Sequence, residues 1–446
     1  MTRCCDSGEN SVANPDRNQK MRKKRGKRVS FPPDEQIVSG FAEHADRTDD
    51  SCITITDIIA AYQQSCSNHQ VQPRENILRQ LQQGMCGGGS AECLDLKGER
   101  LDHRSCEALE VVLKSLHFDF INLQAAQLEE NGASSLLDMI LYYESTTYLD
   151  ISDNSSMGTS SWRALAHLIK QSTCLSRLDV CNVSLVEYPV QSLSKALLTS
   201  RLRVLRLDNA QLSGASLFTL VRALKTNRGL QELHLSSNQL NSYQDAMQLG
   251  DLLRYNNTLQ MLELSNNTLA DAGLEELCDG LSRQTDGLKV LILKNNQITE
   301  RGMNHLAKTL PGLKTLEVLD IGENHLGNEG IQAIRESLMV NSSVLHLGLA
   351  QTNMTCEGAV ALAEFLAESR FIQRLDLHQN RVKVGGLMAL SLALRINSSL
   401  AHLDVDPVPP QELDEFLIET HERLQAEITQ RCKSNASRLQ REPSES

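Results

Sequence analysis

The segment whose residue types and spacing point most directly to chemistry is Lys27-Arg28-Val29-Ser30-Phe31. Val29 and Phe31 stand at i and i+2, so an extended chain turns both side chains to one side. The surrounding stretch has almost no apolar residues, so no core of its own can claim them. Burying the two in a partner's groove would contribute roughly 1.5–3 kcal/mol each. Backbone pairing with an exposed sheet edge would add affinity, and Pro32 and Pro33, which lack an N–H, would end the added strand. Eight of the twelve residues 17–28 are Lys or Arg and none is acidic, which would speed approach to an acidic rim. The same run also suits a nuclear-import signal, or a plain solvated charge run. Ser30 follows Lys27-Arg28-Val29, a context basic-directed kinases accept, and a phosphate there would set roughly two negative charges between the anchors.

Other chemistry is hard to place. The sequence has no Walker-type glycine loop, no G-x-S-x-G and no H-E-x-x-H, so an enzyme is not expected. The 12 cysteines are scattered without a C-x-x-C pair, and the 12 histidines, among them His234, His346, His378 and His402, lack ligand spacing. Neither metal nor cofactor is expected. With 56 acids against 44 bases the net charge is -12, and the acid excess lies outside the basic arm. That speaks against nucleic acid as a partner of the body. Residues 1–10 have no apolar h-region, and no segment approaches the length of a membrane span. The expectation is a protein of the cytosol or nucleus, with reduced thiols and no membrane partner. Asn256-Asn257-Thr258 and similar triplets are then bystanders, and Cys4-Cys5 suits a lipidation site or, more simply, an ordinary pair in a flexible tail.

The elements that must position these residues come from an internal repeat. Leu-x-Leu pairs, some with Ile or Val in place of one leucine, begin at Leu94, Ile121, Leu149, Leu178, Leu205, Leu233, Leu262, Leu291, Leu319, Leu347, Leu375 and Leu403, with steps of 27 to 29 residues. Alternation turns both leucines inward from a short strand. Asn follows at a fixed place in six units, Asn154, Asn238, Asn267, Asn296, Asn324 and Asn380, where its amide can bond neighbouring coils. Ala126, Val183, Ala210 and Thr352 replace it, which predicts an interrupted ladder there. A helix comes next: Leu274, Leu277 and Leu281 fall at i, i+3 and i+7, as do Ile331, Ile334 and Leu338. Gly273, Gly302, Gly330 and Gly358 at its start allow tight packing or positive φ.

This pattern resembles leucine-rich repeats of the ribonuclease-inhibitor type. The resemblance implies an α/β solenoid, a horseshoe with a parallel sheet inside and helices outside. The organisation read from the chain is a disordered basic arm (1–50), a helical cap (51–90), the solenoid (91–406), a capping helix (407–432) and a disordered tail (433–446). In the cap, Thr56 and Asp57 can start one helix and Pro73 a second carrying Ile77, Leu78 and Leu81, with Gly87-Gly88-Gly89 as a joint. The closing helix is expected at about 411–431, because an open solenoid end would expose leucines.

The residue between paired leucines should face outward, and it is acidic in seven of twelve units: Asp95, Asp150, Asp179, Glu263, Asp320, Asp376 and Asp404. This row suits a second, basic protein on the concave face, or merely a strand position that tolerates Asp.

Lys27-Arg28-Val29-Ser30-Phe31, followed after five residues by Ile37-Val38, resembles the RVxF docking motif with its downstream pair of apolar residues. By that motif many regulatory proteins bind the catalytic subunit of protein phosphatase 1. RVSFPPDE, CLDLKGERLD around Cys93, ASSLLDMI at 133–140, NEGI around Gly330 and GLMALSLAL at 386–394 resemble the leucine-rich-repeat members of those regulatory subunits. The resemblance implies docking through Lys27, Arg28, Val29, Phe31, Ile37 and Val38, and inhibition of the phosphatase. A leucine-rich-repeat GTPase-activating protein, which shares the repeat length but carries an acidic C-terminal tail absent here, is the competing class, with a general scaffold beside it.

Overall fold

The computed structural model describes residues 54–83, 85–86, 90–284, 287–408 and 414–439. The chain divides between Cys52 and Ile53, and every described residue belongs to the second unit. It opens with α1 (Ile55–Asn68) and α2 (Glu75–Gln83), then β1 (Met85–Cys86). Twelve parallel strands follow: β2 (Ser90–Asp95), β3 (His117–Asn122), β4 (Thr146–Asp150), β5 (Arg177–Asp179), β6 (Val204–Arg206), β7 (Glu232–His234), β8 (Met261–Glu263), β9 (Val290–Ile292), β10 (Val318–Asp320), β11 (His346–Gly348), β12 (Arg374–Asp376) and β13 (His402–Asp404). Strand order is sequence order, and among the described strands only the β1–β2 pair is antiparallel. Parallel neighbours need a crossover. Here the crossovers are α3 (His103–Ala108) with α4 (Glu110–Ser115), then α5 (Glu130–Tyr143), α6 (Thr159–Gln171), α7 (Tyr188–Leu197), α8 (Ala215–Leu224), α9 (Tyr243–Tyr255), α10 (Ala270–Ser282), α11 (Glu300–Thr309), α12 (Gly327–Val340), α13 (Cys356–Glu368) and α14 (Val384–Leu394). The leucine-rich-repeat solenoid expected from the period is the fold observed.

Register follows the leucines. Leu178, Leu205, Leu233 and Leu262 pair in succession across β5 to β8 and are fully buried. The apolar residue two on from each, Val180, Leu207, Leu235 and Leu264, joins the same core, which the helices close from the other side.

The asparagine ladder is built as its spacing implied. Asn267 Nδ2 donates to Leu235 O (2.8 Å) in the coil before and Leu264 O (2.9 Å) in its own, while its Oδ1 accepts from Asn238 N (2.7 Å). Asn296 and Asn324 repeat the arrangement. At Ala126 and Ala210, where the asparagine is missing, a backbone carbonyl takes over the accepting role: Leu101 N donates to Ala126 O and Leu185 N to Ala210 O. The coil-to-coil bonding therefore continues past these two sites in a different form. The residue before each rung is left-handed, as at Asn266 (φ 60°) and Asn295 (φ 49°), a conformation asparagine tolerates better than most.

Three expectations need correction. Gly273, Gly302, Gly330 and Gly358 have ordinary negative φ, so packing is their reason: a Cβ on Gly302 would lie 2.5 Å from Asp271 Oδ1. The first helix starts earlier than Thr56, because Thr54 is the cap and Asp57, three residues on, completes a capping box by accepting from Thr54 N (3.0 Å). The closing helix, α15, runs over Glu415–Leu439 rather than about 411–431, so 433–439 of the expected tail are helical. Its buried face continues from His421, Leu424 and Ile428 through Cys432 to Asn435, whose Nδ2 donates to Asn397 O and Leu400 O on the last coil.

Candidate functional site

Two places were singled out by the sequence. The docking segment, Lys27, Arg28, Val29, Ser30 and Phe31 with Ile37 and Val38, lies outside the described residues. The acidic row lies on the open face of the sheet, one residue per strand.

The row does local work. A carboxylate at the end of a short strand can accept the N–H two residues on and fix the turn that follows. Asp95 does so from Lys97 N (3.1 Å), Asp150 from Ser152 N (2.8 Å), Glu263 from Ser265 N (2.9 Å), Asp320 from Gly322 N (3.1 Å) and Asp376 from His378 N (3.1 Å). In β3 Asn122 does the same for Gln124 N (3.0 Å). Some of these acids also have side-chain partners. Asp320 meets Lys294 Nζ at 3.3 Å, and Asp404 meets Arg374 at 3.1 Å and the His402 ring at 2.8 Å. Asp376 lies against the His378 ring. Part of the row is thus paired instead of forming a bare acidic stripe.

Asp179 differs from the others. It is buried, receives a two-point contact from Arg177 (3.1 and 2.9 Å) and accepts from Tyr148 Oη at 2.9 Å. Arg177 also lies over the Tyr148 ring at 4.3 Å, and Tyr148 stacks on Phe120 with centroids 4.1 Å apart and planes 13° apart. Burial, with the Asp179 charge second, pushes the Tyr148 phenol above its ordinary range and keeps it a donor. Burial, opposed by the Ser152 hydrogen bonds, raises the Asp150 carboxyl. Sequence reasoning missed this cluster. Its signal is the residue just before each leucine pair, since Phe120, Tyr148 and Arg177 fall in register on adjacent strands. Further along, Met261, Val290 and Val318 occupy the same place and form a half-buried apolar strip, with Ile292 one position on.

The strand histidines are not gathered. Among the described residues no group of three or more His, Cys, Asp or Glu is placed to hold a metal ion. Burial, then a neighbouring arginine (Arg206 or Arg374), holds His234 and His346 below the ordinary imidazole value. The described cysteines are free thiols, and burial pushes Cys106 and Cys278 up to about 12. No described helix is long and apolar enough to cross a membrane.

Asn256, taken in the sequence as part of an idle triplet, belongs to a second ladder. Its Nδ2 donates to Leu224 O (2.7 Å) of the preceding unit while its Oδ1 accepts from Thr258 N and Leu259 N. Asn227, Asn341 and Asn397 do the same in their units. Each stands six residues before its leucine pair, a spacing open to inspection in the sequence.

Comparison with known proteins agrees with this architecture. A family model described as "Leucine Rich repeat" matches residues 255–278 and 312–334. Over 231 residues, 51% of its length, the chain is 48% identical to Protein phosphatase 1 regulatory subunit 37 of Bos taurus, covering 33% of that protein. Over 252 residues, 56% of its length, it is 47% identical to the Homo sapiens protein of the same name, covering 36%. These relatives bear out the resemblance to leucine-rich-repeat phosphatase subunits. The chain spans about a third of the length of the relatives it matches. Among solved structures, the Rad7 and Elc1 complex of yeast aligns with a TM-score of 0.41 and 14% identity over 79% of this chain and 83% of that one.

Proposed function

We propose that this chain is a regulatory subunit, not an enzyme, that docks the catalytic subunit of protein phosphatase 1 through Val29 and Phe31 and restrains its activity. One observation carries the reading: an RVxF-type segment stands in a chain close to half identical, over half its length, to proteins named as regulatory subunits of that phosphatase. Val29 and Phe31 supply the apolar anchors, Lys27 and Arg28 the steering charge, and Ile37-Val38 a second apolar contact. The solenoid serves as a scaffold whose open sheet face, with Asp150, Asp179, Glu263, Asp320, Asp376 and Asp404, meets a second protein. The protein works in the cytosol or nucleus.

The test is a pull-down with purified catalytic subunit, comparing the full chain with Val29→Ala/Phe31→Ala, and an assay of the bound enzyme on a phosphoprotein. The wild-type chain is expected to retain the enzyme and lower its activity, and the double variant to do neither. Ser30→Glu in the same assay is expected to weaken retention, since charge enters between the two anchors. Retention of the enzyme by the double variant would overturn the assignment.

A further inference from the structure

The outer surface of the solenoid has one stretch unlike the rest. α6, α7 and α8 contain no Asp or Glu at all, although the chain carries a net charge of -12. They carry Arg163, Lys170, Lys195 and Arg222, all exposed. Lys225, just past α8, is neutralised by Asp251 at 2.7 Å. Among the described residues no ion pair involves Lys170, Lys195 or Arg222.

The same stretch is open. A cleft of about 540 Å³ lies between α7 and α8, and a second of about 270 Å³ between α6 and α7. Gln191 and Lys195 line both, so α7 stands as a ridge between them. The larger cleft has Leu198 and Ala223 on its walls, with Lys195 and Arg222 at the mouth. Leu198 is 51% exposed, and Phe218, one turn before Arg222, is 56% exposed. A volume of this order accepts bulky apolar side chains. In the cleft wall Ser194 is buried, and its Oγ has no hydrogen-bond partner. That oxygen is closed off from solvent, so the wall in front of it offers an incoming side chain apolar surface.

We propose that the α7–α8 cleft is a docking site for an acidic peptide segment of a partner protein, one that seats a bulky apolar side chain beside Leu198 and aligns flanking carboxylates with Lys195 and Arg222. Charge complementarity selects the occupant, since unpaired cations at an apolar cleft on an acidic chain favour acidic over basic segments. An anionic lipid surface would also meet cations, but it would leave the recess between the two helices unfilled.

Random peptides displayed on phage are to be selected on the full chain, and an enriched sequence synthesised and titrated. Enriched peptides are expected to place Asp or Glu around Leu, Phe or Trp. Affinity is expected to fall about tenfold or more for Leu198→Asp and for Lys195→Glu/Arg222→Glu. A peptide with its acids changed to Lys should bind the Lys195→Glu/Arg222→Glu chain better than the wild type. The charge variants alter exposed groups, and unchanged circular dichroism melts would show the fold intact. The proposal is overturned if no peptide is enriched, or if enriched peptides are basic or indifferent to these substitutions. It is equally overturned if the variants lose only co-sedimentation with phosphatidylserine vesicles.

Discussion

The units around β8 to β10 and those around β5 and β6 solve the same stacking problem differently. In the first group Asn238, Asn267, Asn296 and Asn324 bond coil to coil through buried side-chain amides. In the second, Val183 and Ala210 stand at the rung, and the carbonyl of Ala210 accepts from Leu185 N. The helices behind differ too. α9 and α10 have thirteen residues each and meet through Gly250 and Gly280, where an added Cβ would run into the facing backbone. α7 and α8 have ten residues each and leave the cleft that Ser194 and Ala223 line. The missing rung is not what opens that cleft. Thr352 also lacks the asparagine, yet the helix of its unit, α13, has thirteen residues. Short helices with small facing residues open the cleft. The lesson is that bonding on the sheet side and packing on the helix side are set independently.

The largest effect that would break this comparison is at the ladder. Asn267→Ala removes an acceptor from Asn238 N and a donor from Leu235 O, both buried. Urea unfolding is expected to show a loss of about 3 kcal/mol. Ala210→Asn should change stability by less than about 1 kcal/mol, because the backbone already fills the role. Equal and opposite effects of the two would contradict the account.

Next in size is the helix contact. Gly280→Ala is expected to cost about 1–3 kcal/mol, since the new methyl meets Gly250 O. Ser194→Ala, in the open cleft, should be neutral or slightly stabilising, because it removes an unpartnered hydroxyl. A substantial loss from Ser194→Ala would mean that the α7–α8 side is packed as tightly as α9–α10.

The smallest effect lies at the boundary between the two regions. Burial, then Arg206, lowers the His234 value from 6.5. Its neutral form is therefore the folded form, and unfolding takes up a proton once the pH is below the ordinary imidazole value. The stability from this group is complete above about pH 6.5 and falls as the solution is acidified. His234→Gln should lose that slope, measured as the difference between wild-type and variant melts at neutral and mildly acidic pH. An identical pH dependence for both chains would remove His234 from the account.

Much of this was legible beforehand. The twelve anchors, eleven leucines and Ile121, determine register because a one-residue slip would turn each pair to the wrong face. Asn267 and Asn296 could be assigned to rungs by spacing alone. The role of Asp150 or Glu263 in the turn could not, since the receiving N–H belongs to a backbone bend that periodicity does not reveal. The Phe120–Tyr148–Arg177 stack is hidden for a different reason: the period marks the residue between the leucines as outward, and these three stand before the pairs. The end of α15 was set by burial of Cys432 and Asn435 against the last coil, a contact no local pattern signals.

The central claim concerns neither region of the solenoid but the two apolar anchors ahead of it. Titration calorimetry of the full chain against the phosphatase catalytic subunit, wild type beside Val29→Ala/Phe31→Ala, tests it most directly. Loss of both anchors should weaken binding at least about a hundredfold. Affinities within about twofold of each other would contradict the account.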